Sequence, residues 1–358
     1  MSDLEFRRME PTEDDLGRFA ECFARNEDTK DPRLLKWQFL ANPVTHADPT
    51  QLFTDFAVEP DTGHLGAIYA TSPVELKIGP HRTVAVQSLD TLTDKNHRRK
   101  GLFNKMSAAV YARCKEAGVS LVYGFPNGAS APGFFSKGGW SRLDPVPFLV
   151  LPLRARYFLR KAGLSSGIAR FAPDWLPTRQ PPPLLAANEE VAVQLVLEPA
   201  VDALWESFSQ PIRIGVIRDR KYLSWRLKRP GGGYKVFAFR RAGELRGLAV
   251  TTLKEKHGGS IGYVMEVLHA PDDSRAGEVV LNAAIDDLAA QKCDAVLAWC
   301  LEHSPNRTTY RRVGFRTLPD WARPIELHFG ALALDAPADA AVGNRRNWYL
   351  SYLDSDTV

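Results

Sequence analysis

Short apolar stretches alternate with amphipathic segments along this chain, and the series runs through twice. Strand-like stretches at Phe53–Glu59, Leu65–Pro73 and Thr83–Thr93 lead to a helix from about Leu102 to Ala117 and a strand at Val119–Phe125. In the helix, Leu102, Phe103, Met106, Ala109, Val110 and Cys114 recur at helical spacing, and Gly118 stands where a terminating glycine belongs. The second series is Tyr234–Arg240, Leu245–Leu253, Ser260–Leu268, a helix to about Gln291 and a strand at Ala295–Cys300. Two motifs set the register. Asp31-Pro-Arg-Leu-Leu35-Lys-Trp37 returns as Asp219-Arg-Lys-Tyr-Leu223-Ser-Trp225, and Phe135-x-x-x-Gly139-Trp140 returns as Tyr310-x-x-x-Gly314-Phe315. Several motifs repeating in one order indicate two copies of one α/β fold.

Pro173 to Pro183 holds five prolines and reads as a linker, which divides the chain into units 1–150 and 191–358 joined by 151–190. Leu153 to Phe171 mixes Arg154, Arg156, Arg160, Lys161 and Arg170 with apolar residues. It reads either as a helix packed between the units or as an amphipathic helix on a membrane surface. Of the 358 residues, 44% are hydrophobic and 25% charged, an ordinary globular balance that argues against disorder. A net charge of +4 is too small to point to nucleic acid. Cys22, Cys114, Cys293 and Cys300 form no CxxC pair, the eight histidines no HxxxH, and no GxSxG occurs. With no leader-like apolar segment and no apolar run near ~20 residues, the expectation is a soluble cytoplasmic protein without metal, membrane span or nucleic-acid partner. Its oligomeric state is left between monomer and homodimer.

The sharpest local feature is Asp94-Lys-Asn-His-Arg98-Arg99-Lys100-Gly101-Leu102-Phe103, which joins a strand to a helix start. Unpaired N–H groups and the positive end of the helix dipole make such a junction an anion site. Gly101 allows close backbone approach, and Arg98, Arg99 and Lys100 add charge suited to a pyrophosphate. A solvated basic turn is the plainer alternative.

This stretch resembles the acyl-CoA-binding segment of the GCN5-related N-acetyltransferases (GNAT), with Phe103 where the family pattern has a small residue. Asn127 and Phe135-x-x-x-Gly139-Trp140 resemble the later segment of the same family. The repeated Asp-x-x-x-Leu-x-Trp and the end Asn347-Trp-Tyr…Asp354-Ser-Asp356 look like tandem acetyltransferases of bacterial surface-polysaccharide clusters. The resemblance implies two tandem GNAT-like domains, each a mixed, mostly antiparallel sheet flanked by helices. It implies acetyl-CoA as co-substrate, a small-molecule amine as acceptor, and an amino sugar as one candidate. CoA would meet Thr91, Thr93, Arg98, Arg99, Lys100, Gly101, Leu102, Phe103, Asn127 and Phe135. In the second copy the loop Pro271–Gly277 has lost the basic cluster and reads as a copy that no longer binds CoA well.

Acetyl transfer needs a base for the amine, a donor for the oxyanion and an acid for the departing thiolate. Asp90 is the one ionisable residue on Gln87–Thr93 and is the candidate base; otherwise it is a strand-end aspartate bonded to backbone. The tyrosine that resemblance places as thiol acid falls at Phe135, which has no proton to give. Tyr123 is a substitute acid, an acceptor contact, or core. The second copy has Tyr310 and Glu266 at the matching positions, as catalytic groups, as lining of the acceptor pocket, or as structure. An alternating strand at the C-terminal end would put Asp354 and Asp356 on one side, where they would bind a cationic acceptor; a frayed end is the alternative. Two rivals to the acetyltransferase remain: a non-catalytic acyl-CoA-binding or scaffold protein, and an N-acyltransferase with a longer donor.

Overall fold

In the computed structural model, which describes residues 4–161, 163 and 181–358, the strands form two sheets. The first contains β1 (Glu5–Arg8), β2 (Asp55–Val58), β3 (Leu65–Ile78), β4 (His81–Thr93), β5 (Leu121–Gly124) and β6 (Ser141–Arg142). The second contains β7 (Phe148–Pro152), β8 (Glu189–Gln194), β10 (Lys235–Arg241), β11 (Glu244–Lys256), β12 (Gly259–His269), β13 (Ala295–Trp299) and β14 (Arg316–Thr317), and two strands remain, β9 (Ile214–Val216) and β15 (Gly330–Ala333). The first sheet runs β1-β2-β3-β4-β5-β15-β6, with β9 on the far end of β3; the second runs β14-β7-β13-β12-β11-β10-β8. In each, one parallel pair (β4–β5, β12–β13) interrupts antiparallel neighbours, as the expected mixed sheets require.

Sheet membership cuts across the expected division at residue 150. β7, from the first half, lies between β13 and β14, while β15, from the second half, lies between β5 and β6. Each sheet is therefore completed by a strand from the other half. One hydrophobic core accordingly runs through both units and includes Tyr123, Phe148, Tyr263, Trp299, Trp348 and Tyr352. The Ala155–Lys161 helix begins the basic segment. The remainder of that segment, and the proline run from Pro173 to residue 180, lie outside the described residues.

The repeated aspartates are helix caps. Asp31 Oδ1 accepts from Arg33 N (2.8 Å) and Asp219 Oδ1 from Tyr222 N (2.9 Å), each satisfying a first-turn donor. The repeated tryptophans then meet. Trp37 and Trp225 stack at 4.5 Å with planes 7° apart, and each indole donates to the other's carbonyl at 2.9 and 3.0 Å. The same motif in both halves thus forms a reciprocal contact between them.

The helix Leu102–Glu116 buries Leu102, Met106, Val110 and Cys114 on one stripe against the first sheet, with Gly118 left-handed just beyond its end. Its counterpart, Ser274–Ala290, packs on the second sheet. The four cysteines are buried and free. No helix among the described residues is long and apolar enough to cross a membrane.

Candidate active site

β4 and β5 are paired from Ala85–Leu121 to Ser88–Gly124 and no further, although β4 continues to Thr93. At the last pair a side chain on Gly124 would meet Ser88 O at 2.8 Å, so glycine is required where the strands begin to part. Just beyond, β4 carries one extra residue against β3, between the pairs Ile68–Leu92 and Ala70–Leu89. Asp90 sits in this bulge with φ +47°, a left-handed conformation that is strained for a non-glycine residue. β12 has a matching bulge between its pairings at Val264 and Glu266.

The parting strands open into a cleft of about 1020 Å³ at the start of the Leu102–Glu116 helix. Thr91, Thr93, Arg98, Arg99, Gly101, Leu102, Phe103 and Asn127 line it, eight of the ten residues expected to meet CoA. The loop is fixed at its root, where Asp94 accepts from Asn96 N (2.9 Å) and Asn26 Nδ2 (3.0 Å). Arg99 (φ +65°) and Gly101 (φ +73°) are both left-handed where the chain turns into the helix, whose first residues, Leu102, Phe103 and Asn104, line the cleft. Asn127 Oδ1 accepts from Ser130 N (3.0 Å) and shapes the opposite wall.

Lys100 and Phe135 do not join that lining. Lys100 Nζ turns to His97 Nδ1 (3.2 Å), and His97 Nε2 bonds Glu59 (2.7 Å). The Phe135 ring lies against Gly330, with Arg142 4.7 Å from its centroid, while Phe134 packs under Phe103 at 4.9 Å. His97, Asn104, Ser136 and Lys137 also line the cleft and were missed from sequence. So was a buried polar chain beneath the parting strands: Ser88 Oγ donates to Tyr69 OH (3.1 Å), which bonds Tyr111 OH (2.5 Å), and Trp140 Nε1 donates to Tyr111 OH (3.1 Å). Burial raises the Tyr111 hydroxyl to about 12 and holds Tyr69 well above its usual value.

Asp90 has a 6% exposed side chain that pairs with Lys30 and accepts from Gln38 Nε2 at 3.1 Å. Burial pushes its carboxyl above the usual range, opposed by Lys30 and assisted by the charge of Asp356.

Neither Asp90 nor the other catalytic and acceptor-binding candidates belong to the cleft lining itself. Glu266 and Asp354 are closed around Arg218, which is fully buried: its Nε donates to Glu266 at 2.8 Å and its Nη2 to Asp354 at 2.6 Å. Tyr349, Ser351 and Val267 N complete the bonding of Glu266. The C-terminal end forms a 3₁₀ turn, Tyr352–Asp354, capped reciprocally by Ser351 and Asp354. That corrects the expected alternating strand: Asp354 is buried and Asp356 exposed, so the two acids do not share a side. Tyr123 and Tyr310 are 1% exposed in the two cores, and neither lines the cleft.

The second unit has a carboxylate where the first offers a free helix start. Asp273 caps the Ser274–Ala290 helix by accepting from Ala276 N (3.0 Å), and it also binds Arg241 at 2.5 Å. Gly277 packs within 2.6 Å of His269 for an added side chain, so its role is helix packing. No group of His, Cys, Asp and Glu among the described residues is arranged to hold a metal.

The family model for an acetyltransferase (GNAT) domain matches residues 10–143. Among solved structures, Saccharomyces cerevisiae N-myristoyltransferase with bound myristoyl-CoA superposes with a TM-score of 0.60 at 13% identity, covering 92% of this chain and 83% of that one. A conserved Enterococcus faecalis V583 protein described as a probable N-acyltransferase gives 0.60 at 10% identity, covering 93% and 73%. No curated protein matches the sequence. At such identities the structural neighbours establish the fold alone, and the family match places an acetyltransferase (GNAT) domain in the first half of the chain.

Proposed function

We propose that this protein is an acyl-CoA-dependent N-acyltransferase that moves an acetyl group to an amine acceptor. The observation that carries the reading is the cleft where β4 parts from β5 in front of a helix start with two left-handed residues. Its volume reaches the upper end of small-molecule sites, roughly 300–1,000 Å³, as a co-substrate the size of CoA requires. The helix N–H groups with Arg98 and Arg99 would hold the pyrophosphate. The thioester would then reach the unpaired edge of β4, whose N–H groups can meet a developing oxyanion.

In this reading Asp90 takes the proton from the acceptor ammonium, directly or through a water. Lys30 occupies the place of such an ammonium on the carboxylate, and a carboxyl raised toward the working pH is the better base. An acetyl donor fits better than a long chain because the hydrogen-bonded Tyr69, Tyr111 and Trp140 fill the space beneath the parting strands. Only the first unit binds CoA, since Asp273 supplies its own carboxylate to the second helix start.

The rival reading, a non-catalytic acyl-CoA binder, draws on Phe135, which has no proton to donate and faces β15. Thiol release from acetyl-, octanoyl- and myristoyl-CoA across an amine panel separates the two. Release with acetyl-CoA and an amine supports transfer; saturable acetyl-CoA binding without release under any amine supports the binder.

A further inference from the structure

Four cations converge where the C-terminal residues pass between the units. Arg226 and Arg229 come from the end of the Arg220–Arg226 helix and the turn after it, and Lys254 and Lys256 from the end of β11. All four bond to backbone carbonyls. Arg226 Nε donates to Leu353 O (3.0 Å), Arg229 Nη2 to Asp356 O (3.1 Å), Lys256 Nζ to Thr357 O (2.6 Å) and Lys254 Nζ to Gly232 O (2.8 Å). Among the described residues none of the four forms an ion pair with a carboxylate, whereas elsewhere Arg7, Arg113, Arg218 and Arg241 all do. Arg226 is 4% exposed, and its Nη1 is buried without any acceptor, as is Arg229 Nε. Burial and mutual repulsion hold Arg229, Lys254 and Lys256 below their usual values.

Unpaired cations crowded into a partly buried seam cost stability, and an anion binding among them would offset that cost. The cluster also adjoins the candidate reaction centre. The Arg226 guanidinium lies 5.3 Å from the Trp37 ring, and the next residue, Gln38, donates to Asp90. The charge of Asp356 acts on both Asp90 and Arg229.

We infer that the acceptor amine carries an oxyanion, a phosphate or a carboxylate, which Arg226, Arg229, Lys254 and Lys256 hold while its amine faces Asp90. The inference rests on the acyltransferase reading for the amine but on the cation cluster alone for the oxyanion. It excludes simple alkylamines and neutral amino sugars as the best acceptors.

The test is calorimetric titration of the full chain with ethanolamine, O-phosphoethanolamine and β-alanine, on the wild type, Arg229→Gln and the more exposed Lys256→Gln. The expected result is that at least one oxyanion probe binds about 10-fold or more tighter than ethanolamine, and that each variant weakens it by about 10-fold, the scale of one charge-assisted bond. Preference for O-phosphoethanolamine identifies phosphate as the source, and preference for β-alanine identifies carboxylate. Ethanolamine binding as tightly as both, neither oxyanion probe binding, or neither variant losing affinity overturns the inference. Acetyl-CoA is titrated into the same samples. If it fails to bind while the oxyanion probes behave as expected, the acyltransferase reading falls and the oxyanion site stands.

Discussion

Replacing Arg218 by methionine keeps a long apolar stem and removes the one cation that two fully buried carboxylates share. Arg218 reaches Glu266 at 2.8 Å, Asp354 at 2.6 Å and Val216 O at 2.9 Å with no exposed surface. Breaking a buried pair from one side costs about 3–5 kcal/mol, a large share of the roughly 5–15 kcal/mol typical of a folded protein. The pH dependence gives a second, independent readout. Burial already raises the Glu266 carboxyl, against the opposing pull of Arg218. Without Arg218, Glu266 loses that opposing pull and rises further, and the native state then holds more protons than the unfolded chain above the unfolded carboxylate pKa of about 4. Stability of the variant must therefore fall as pH rises, so Arg218→Met should be more stable at about pH 5.5 than at about pH 7.5. Urea unfolding followed by tryptophan fluorescence at both pH values measures this, with the wild type showing the shallower dependence. A loss below about 1 kcal/mol that does not change with pH would mean that water reaches the network, and the closed-cluster reasoning would fail.

Asp90→Asn should lower kcat by roughly 100- to 10,000-fold and leave acetyl-CoA affinity intact. It should also remove the acidic limb of the pH–rate profile, which in the wild type lies above the ordinary carboxylate range because the carboxyl is raised; an unchanged profile puts the base elsewhere. Trp37→Ala, Trp225→Ala and the double variant should show a coupling of about 0.5–1.5 kcal/mol or more in a double-mutant cycle, and additive losses would mean the stacked pair contributes nothing as a pair. Phe135→Tyr should leave turnover unchanged, because the new hydroxyl would face Gly330 and Arg142; a rise in kcat would place that ring in the cleft.

What was legible in the sequence was local. The Leu102–Glu116 helix announces itself through one apolar stripe and its glycines, and the loop before it through adjacent residues, so most of its contacts with the cleft followed. The repeated Asp-x-x-x-Leu-x-Trp was visible as a repeat, but its reason was not. Residues 188 apart in sequence stack only once both copies have folded. The exchange of β7 and β15 was hidden because both are ordinary apolar strands, and nothing in Phe148–Pro152 or Gly330–Ala333 names the sheet it completes. Glu266 and Asp354 looked like site residues because sequence shows a carboxylate without its counter-ion. Arg218 lies 48 and 136 positions away from them. The cluster of Arg226, Arg229, Lys254 and Lys256 has the same character: each is an unremarkable surface-type residue until the helix end, β11 and the C-terminal residues come together.

The central claim is that this chain binds one acyl-CoA, at the β4–helix junction of the first unit. Calorimetric titration of acetyl-CoA into the wild type and Gly101→Val tests it directly. Gly101 is left-handed with open space around its Cβ position, so valine leaves neighbouring packing intact and strains the backbone there by about 1–2 kcal/mol. The account predicts one equivalent bound per chain and a loss of about 10-fold or more in Gly101→Val. Two equivalents per chain, or a Gly101→Val variant that binds as the wild type does, would contradict it.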